Sequence, residues 1–335
     1  MASLVLASSA QAHEGWGIVV NPNGQVYFAD IPANAIWRTS SDGKVERVVI
    51  GKHSHALVLD SAGNLYGTDP HLTLPIRSMW RLTPQGRLTD VIRPTENLPL
   101  GLQSFLMDDA GSVYSVNARS ARTPELLLLK RSPDGRISTL AGSTVGHADG
   151  TGSRAKFQGI DGMAWGPDGL LYLADGPYVR RVKPDGTVST IGAGPITERR
   201  WDEDLLGIAV DVSGNVYSAD HAGRRVLRIS PDGSVSTVVR TGSFWAPTGI
   251  AIADEELYVL EHLRMPLAIL GDLAVGPYLR VRRVSADGSA TELARLWGRR
   301  TVAAAVAAAA VVGVIVWARR LRNRRRLPQT AVTAR

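Results

Sequence analysis

From Gly17 onward, apolar and polar positions alternate in short runs, each closed by a turn rich in Gly, Asp, Asn or Pro. Such runs predict half-buried β-strands joined by tight hairpins. The runs recur as one unit: a small residue, an apolar run, a Gly turn, a Tyr-rich strand ending in an acid, an apolar strand with Arg, an Asp-Gly turn, and a Val/Thr strand. Copies of it start at Gly17, Ala56, Ser104, Gly162, Gly207 and Gly249. First-turn glycines stand at 24, 63, 111, 169 and 214, and Glu256 replaces the sixth. Second-turn glycines stand at 43, 86, 135, 186, 233 and 288. Both ladders give a repeat of about 46 residues, the signature of a repeat architecture. Each unit reads as a four-stranded meander. One meander alone cannot cover both of its faces, whereas a ring of such units can. The expected fold is an all-β, six-bladed β-propeller. The first copy enters on its inner strand and the last supplies its own outer strand, so no strand is shared at the closure.

Composition adds exclusions. The chain has 335 residues, 44% of them hydrophobic, enough for a sizeable core. It has no Cys, which excludes disulfides, thiolate metal sites and cysteine nucleophiles. The net charge of +7 is uneven: nine Arg and no acid lie from Arg299 to the end, and the rest holds 29 basic against 31 acidic residues. No nucleic-acid partner is expected, because the propeller has no excess of phosphate-neutralising charge. The sequence carries no Walker loop, nucleophile elbow, HExxH or dinucleotide fingerprint.

The two ends suggest export and anchoring. Residues 1–12 end in Ala10-Gln11-Ala12, the small-x-small pattern of a signal cleavage site, after the apolar run Ser3–Ala7. Residues 301–318 carry no charge. As a helix at about 1.5 Å per residue they would just span a hydrocarbon core. Arg319, Arg320, Arg322, Arg324, Arg325 and Arg326 follow, which predicts a cytoplasmic C-terminus. The expected organisation is a signal remnant at 1–12, the propeller at 13–298, a transmembrane helix with flanking Arg at 299–320, and a basic cytoplasmic tail at 321–335. The protein would cross a bacterial cytoplasmic membrane once, with its propeller periplasmic or extracellular.

Antiparallel pairing puts the start of each inner strand and the end of each second strand on one rim. The residues before the inner strands are Trp16, His55, Gln103, Asp161, Leu206 and Thr248; those ending the second strands are Asp30, Asp69, Asn117, Asp175, Asp220 and Glu261. The second ring is nearly uniform, as expected of carboxylates that close turns on backbone N–H groups. The first ring is irregular, and irregularity within a repeat is where function lies. The candidate binding rim is therefore Trp16, His55, Gln103, Asp161 and Thr248, with His221 and His262 after their second strands. The long connections after the second strands of blades two, three and six, 69–79, 117–124 and 262–277, would project from the same face. The histidines, His13, His53, His55, His71, His147, His221 and His262, are expected to be mainly solvated loop residues. Arg38, Arg81, Arg131, Arg181, Arg228 and Arg283 are expected to solvate blade edges.

The unit GIAVDVSGNVYSAD…RVLR, Gly207–Arg228, resembles the NHL repeat, and the insert Ala141–Phe157 looks like that family's inter-blade loop. His13-Glu14-Gly15 and Ile160-Asp161-Gly162-Met163 are similar to the Glu-Gly and Asp-Gly-Met segments of the senescence-marker/gluconolactonase (SGL) family. That resemblance implies a divalent cation, Ca²⁺, Mg²⁺ or Mn²⁺, held over the channel by Glu14 and Asp161, with Gln103 in the place of an Asn. The Asp-Gly segment stands one blade earlier than the family pattern has it. The leading expectation is a membrane-anchored, extracytoplasmic module that binds a small molecule or a protein through its rim. The alternative is a metal-dependent lactonase or esterase.

Overall fold

Each repeat folds as an antiparallel sheet with its strands in chain order from the axis outward. The computed structural model describes residues 15–40, 43–70, 77–93, 100–117, 125–192, 194–196, 205–263 and 279–296. Blade 1 comprises Ile18–Val20, Val26–Asp30, Ala35–Thr39 and Val45–Ile50. Blade 2 comprises Leu57–Leu59, Leu65–Pro70, Arg77–Leu82 and Leu88–Ile92. Blade 3 comprises Leu100–Met107, Val113–Asn117, Glu125–Arg131 and Ile137–Thr144. Blade 4 comprises Ile160–Trp165, Leu171–Asp175, Tyr178–Val182 and Thr187–Ile191, with Gly150–Thr151 added outside Thr187–Ile191 as a fifth strand. Blade 5 comprises Leu205–Val210, Val216–Asp220, Arg225–Ile229 and Val235–Arg240. Blade 6 comprises Trp245–Ala253, Glu256–Leu263, Leu279–Val284 and Ala290–Leu296. The protein is an all-β six-bladed propeller, and each blade supplies its own outer strand.

The core lies between blades. Apolar residues two apart on a strand share one face. In blade 6, Tyr258 and Leu260 pack on Ile18 and Phe28 of blade 1, while Leu257 and Val259 pack towards Ala209 and Ala219 of blade 5. Equivalent layers join blades 1 to 2, 2 to 3, 3 to 4 and 4 to 5. Near the axis the inner strands crowd backbone against backbone. A Cβ on Gly207 would lie 2.7 Å from the Thr248 carbonyl oxygen, and one on Gly249 would strike the Trp16 carbonyl oxygen. Glycine at these two positions is what lets blade 6 seat against both neighbours. The axial cavity left between the inner strands is only about 50 Å³.

The turns explain the sequence punctuation. In blade 5 the Asp211 carboxylate accepts the backbone N–H groups of Ser213 and Asn215, the Asn215 amide and the Tyr217 hydroxyl. Asp60 does the same with Ala62, Asn64 and Tyr66. In the sixth copy, where Gly is missing, Asp254 and Glu255 both take positive φ, 49° and 63°, in a two-residue hairpin turn between Ala253 and Glu256. That is the backbone of a type I′ turn, built without glycine.

The third-strand Arg residues are more than edge solvation. Arg38, Arg81, Arg181, Arg228 and Arg283 stand directly opposite Tyr27, Tyr66, Tyr172, Tyr217 and Tyr258. In blade 3 the residue opposite Tyr114 is Lys130, not the expected Arg131, and its ammonium lies 5.1 Å from the ring centroid. The insert after blade 3 is fastened by a residue that the repeat pattern hid. Arg180 is fully buried and donates to Asp175 at 2.7 Å, to Asp149 at 2.8 Å, and to the carbonyls of Ala148 and Lys156.

Residues 1–14, with His13, and 297–335 lie outside the described residues, as do His71 and most of the long connections after the second strands of blades 2, 3 and 6. Among the described residues no helix is long and apolar enough to cross a membrane.

Candidate functional site

The pairing registers confirm a common rim. Ile160 is opposite Asp175, Leu205 opposite Asp220, and Pro247 opposite Glu261. At three of these strand starts the ladder is interrupted: between Ile160 and Gly162, between Leu205 and Ile208, and between Pro247 and Gly249. Each interruption leaves a residue of the predicted ring, Asp161, Leu206 or Thr248, out of the regular pleat. Such bulges re-aim side chains at strand ends and recur beside functional sites.

The ring of strand-end acids is structural. Asp30 accepts from the Ala33 N–H and from Trp37 Nε1. Asp175 accepts from the N–H groups of Gln158 and Gly159 and from Arg180. Asp220 accepts from the Gly223 N–H and from Arg225 Nε. Glu261 accepts from Arg280 Nε and Arg282 Nε, at 2.7 and 2.6 Å. Asn117 bridges to the backbone of Glu125 and Leu127. Burial pushes the carboxyls of Asp30, Asp175 and Glu261 upward, against the pull of these donors.

The other ring behaves differently. Trp16 donates its backbone N–H to the His55 carbonyl at 3.0 Å, and the two rings lie 5.1 Å apart. His55 Nε2 is 3.1 Å from His53 Nε2, and His53 Nδ1 is 3.0 Å from Asn34 Oδ1. Farther round, His221 Nδ1 is 3.2 Å from the Pro247 carbonyl. Thr248, next along the chain, holds His262 Nδ1 at 3.0 Å with its hydroxyl.

Three of these histidines correct the expectation of solvated loop residues: His55 is 2%, His221 4% and His262 0% exposed. The reason is geometric. The chain crosses directly from one blade to the next at this rim, so a residue following a strand is covered by the neighbouring blade. His147 is also held, stacked 3.7 Å from Tyr178 and bonded to Thr190.

His262 lies two residues beyond Leu260 on the strand face that packs on blade 1. Burial, and secondarily the nearby His221, push its imidazole down to about 3, so it is neutral across the physiological range. Its Nε2 has no hydrogen-bond partner among the described residues, and neither has the buried indole nitrogen of Trp16. Whichever way the Thr248 hydroxyl points, Nε2 of a neutral His262 is left without a partner among the described residues.

The structure thus gathers His221, Thr248, His262, Trp16, His53 and His55 into one arc over blades 5, 6, 1 and 2. Asp161, half-buried, starts blade 4 on the far side of the mouth from blade 1. Glu14 and the side chain of Gln103 lie outside the described residues. Among the described residues no group of three His, Cys, Asp or Glu side chains is placed to hold a metal ion. His53 and the Pro247 carbonyl join the site without having been singled out as rim residues. The His53-Ser54-His55 spacing was the available signal, since an extended segment puts both rings on one side.

The sequence matches the SMP-30/Gluconolactonase/LRE-like region over residues 15–261. Solved structures share the fold. A luciferin-regenerating enzyme is 14% identical with a TM-score of 0.59, over 85% of this chain and 94% of that one. A gluconolactonase from Xanthomonas campestris is 14% identical with a TM-score of 0.55, over 74% and 83%. The calcium-binding protein regucalcin from Agrobacterium tumefaciens is 17% identical with a TM-score of 0.54, over 76% and 84%. No curated protein sequence matches. With well over half of its length matched, the chain belongs to the SMP-30/gluconolactonase/LRE-like family.

Proposed function

We propose that the rim mouth is a small-molecule site that binds and hydrolyses lactones or small esters, on a propeller held at a membrane by its C-terminal segment. The observation that carries the reading is His262: a neutral, fully buried imidazole whose Nε2 has no hydrogen-bond partner among the described residues, at the rim that also carries the irregular ring. Buried polar groups are normally paired, and an imidazole nitrogen without a partner among the described residues is a position for a ligand atom or an ordered water. Family membership supplies the substrate class, since gluconolactonases are among the proteins it is named for.

The residues divide the work. Asp161 is the one carboxylate of the irregular ring within the described residues and would orient a water or a hydroxyl. His262 Nε2 would bond a polar atom of the ligand, oriented through Nδ1 by Thr248. Trp16 and His55, whose rings lie 5.1 Å apart, would bound the site on blades 1 and 2. A divalent cation, if bound, would be held by Asp161 with Glu14 and Gln103, and would supply polarisation of the lactone carbonyl.

The second reading, a binding module for a protein or small molecule without turnover, rests on the same rim. One preparation separates the two: the full chain stripped of divalent ions, then resupplied with Ca²⁺, Mg²⁺ or Mn²⁺ and assayed on small lactones and esters. Turnover that Asp161→Asn abolishes supports the hydrolase. Ligand binding without turnover supports the module. Neither binding nor turnover overturns both.

A further inference from the structure

We infer that the propeller meets the lipid bilayer with its rim face, so that the mouth described above opens towards the membrane. This rests on the proposed anchoring by residues 301–318 and adds an orientation to it.

The argument starts where the chain leaves the fold. His262, near the end of blade 6's second strand, pairs with Leu279, which starts the third, and Leu279 pairs with Leu296 at the end of the outer strand. Leu296 is therefore at the rim end of blade 6. Only Trp297, Gly298, Arg299 and Arg300 separate it from Thr301, where the uncharged run begins. Fully extended, that tether reaches about 14 Å. A blade strand of five to eight residues is itself about 17–27 Å long. The opposite face, which carries the first and second turns, is thus farther from the anchor than the tether can compensate without turning the ring on its side.

Two ways of resting on the surface remain, and the side chains at the exit choose between them. Lying on the outer strand of blade 6 would press Thr291, Glu292 and Arg295 into the lipid surface, the last two an ion pair. Lying on the rim presents Phe244, 54% exposed, and beside it Trp245, whose ring carries the Arg280 guanidinium at 4.1 Å. Arg280 also donates to the Thr241 carbonyl, which fixes this loop to the blade. Aromatic rings flanked by Arg are the side chains that settle at the headgroup level. The rim carries Ile50, 68% exposed, on blade 1 and Val145 beyond the outer strand of blade 3, across the ring from blade 6, while the opposite face carries Val212, 83% exposed, so it is the exit point of the chain and not apolar exposure that sets the orientation.

The absence of Cys makes the test clean. Full-length single-cysteine variants I50C, V145C and F244C report the rim; L88C and V212C report the opposite face. Each is labelled with bimane and reconstituted in phosphatidylcholine/phosphatidylglycerol vesicles containing spin-labelled lipid. Flotation with the vesicles is scored first, because loss of flotation overturns the anchor itself and this orientation with it. In floating protein the expected result is loss of fluorescence at all three rim positions and none at L88C or V212C. Quenching at F244C alone means the ring stands on blade 6. Quenching that is equal on both faces, or absent from both, means the rim does not face lipid. Each of these results overturns the inference while leaving the anchor standing.

Discussion

Two rings of polar residues share one rim of this propeller, and they have opposite characters. The strand-end ring, Asp30, Asp69, Asn117, Asp175, Asp220 and Glu261, repeats the same chemistry blade after blade, and each member is bonded by its own blade or by the segment leading into it. The strand-start ring, Trp16, His55, Asp161, Leu206 and Thr248, changes identity at each blade, sits at ladder irregularities in blades 4 to 6, and includes Thr248, which holds His262, whose Nε2 has no partner among the described residues. Polar groups that recur with the repeat serve the repeat. Those that break its symmetry are the ones the proposed function draws on.

The comparison predicts different consequences of mutation in the two rings. The largest concerns the strand-end ring. Arg180→Ala leaves Asp175 and its own buried volume uncompensated and frees the insert at Asp149. It should cost about 3–5 kcal/mol, read as a fall in the denaturant midpoint of the protein. A change below about 1 kcal/mol would show that the buried pair is not what holds blade 4 together.

Next is the pH dependence set by His262. Its folded value, about 3, lies below the ordinary 6.5, so the unfolded chain binds the extra proton first as pH falls. This contribution is complete above about pH 6.5 and is lost progressively towards about pH 3. At about pH 5 the loss should be about 2 kcal/mol relative to pH 7, from about 1.4 kcal/mol per pH unit. His262→Gln should flatten that part of the stability profile. An unchanged slope would mean that another group sets it.

Asp161→Asn, in the irregular ring, should leave the unfolding midpoint within about 1 kcal/mol of wild type and abolish turnover or ligand binding. If it unfolds the protein instead, the residue belongs with the structural ring.

The smallest effect lies away from the rim. Glu255→Gly relieves a non-glycine left-handed residue in the blade 6 hairpin and should stabilise by about 1 kcal/mol, seen as a higher melting temperature.

The blade count, the strand order, the shared rim and the closure were legible because turn glycines and strand alternation report local geometry directly. Gly207 and Gly249 even mark where the inner strands touch. The expectation of solvated histidines failed because burial at a blade-to-blade crossing is a property of the neighbouring blade, which local periodicity does not report. Arg180 was hidden by Arg181: alternate residues of one strand face opposite ways, so one Arg meets Tyr172 while the other enters the core with Asp175. Lys130 was missed because the Tyr–Arg cross-strand rule is a matter of register, and Leu-rich blade 3 offers no marker of it.

The most direct test of the rim as a ligand site is the ¹⁵N spectrum of the histidine-labelled protein, titrated with acid and then with a small lactone. The account predicts one imidazole that stays neutral down to about pH 5 and whose Nε2 resonance, assigned through its loss in His262→Gln, moves when the lactone is added. Imidazoles that all titrate near the ordinary value, with a His262 Nε2 signal indifferent to the lactone, would contradict it.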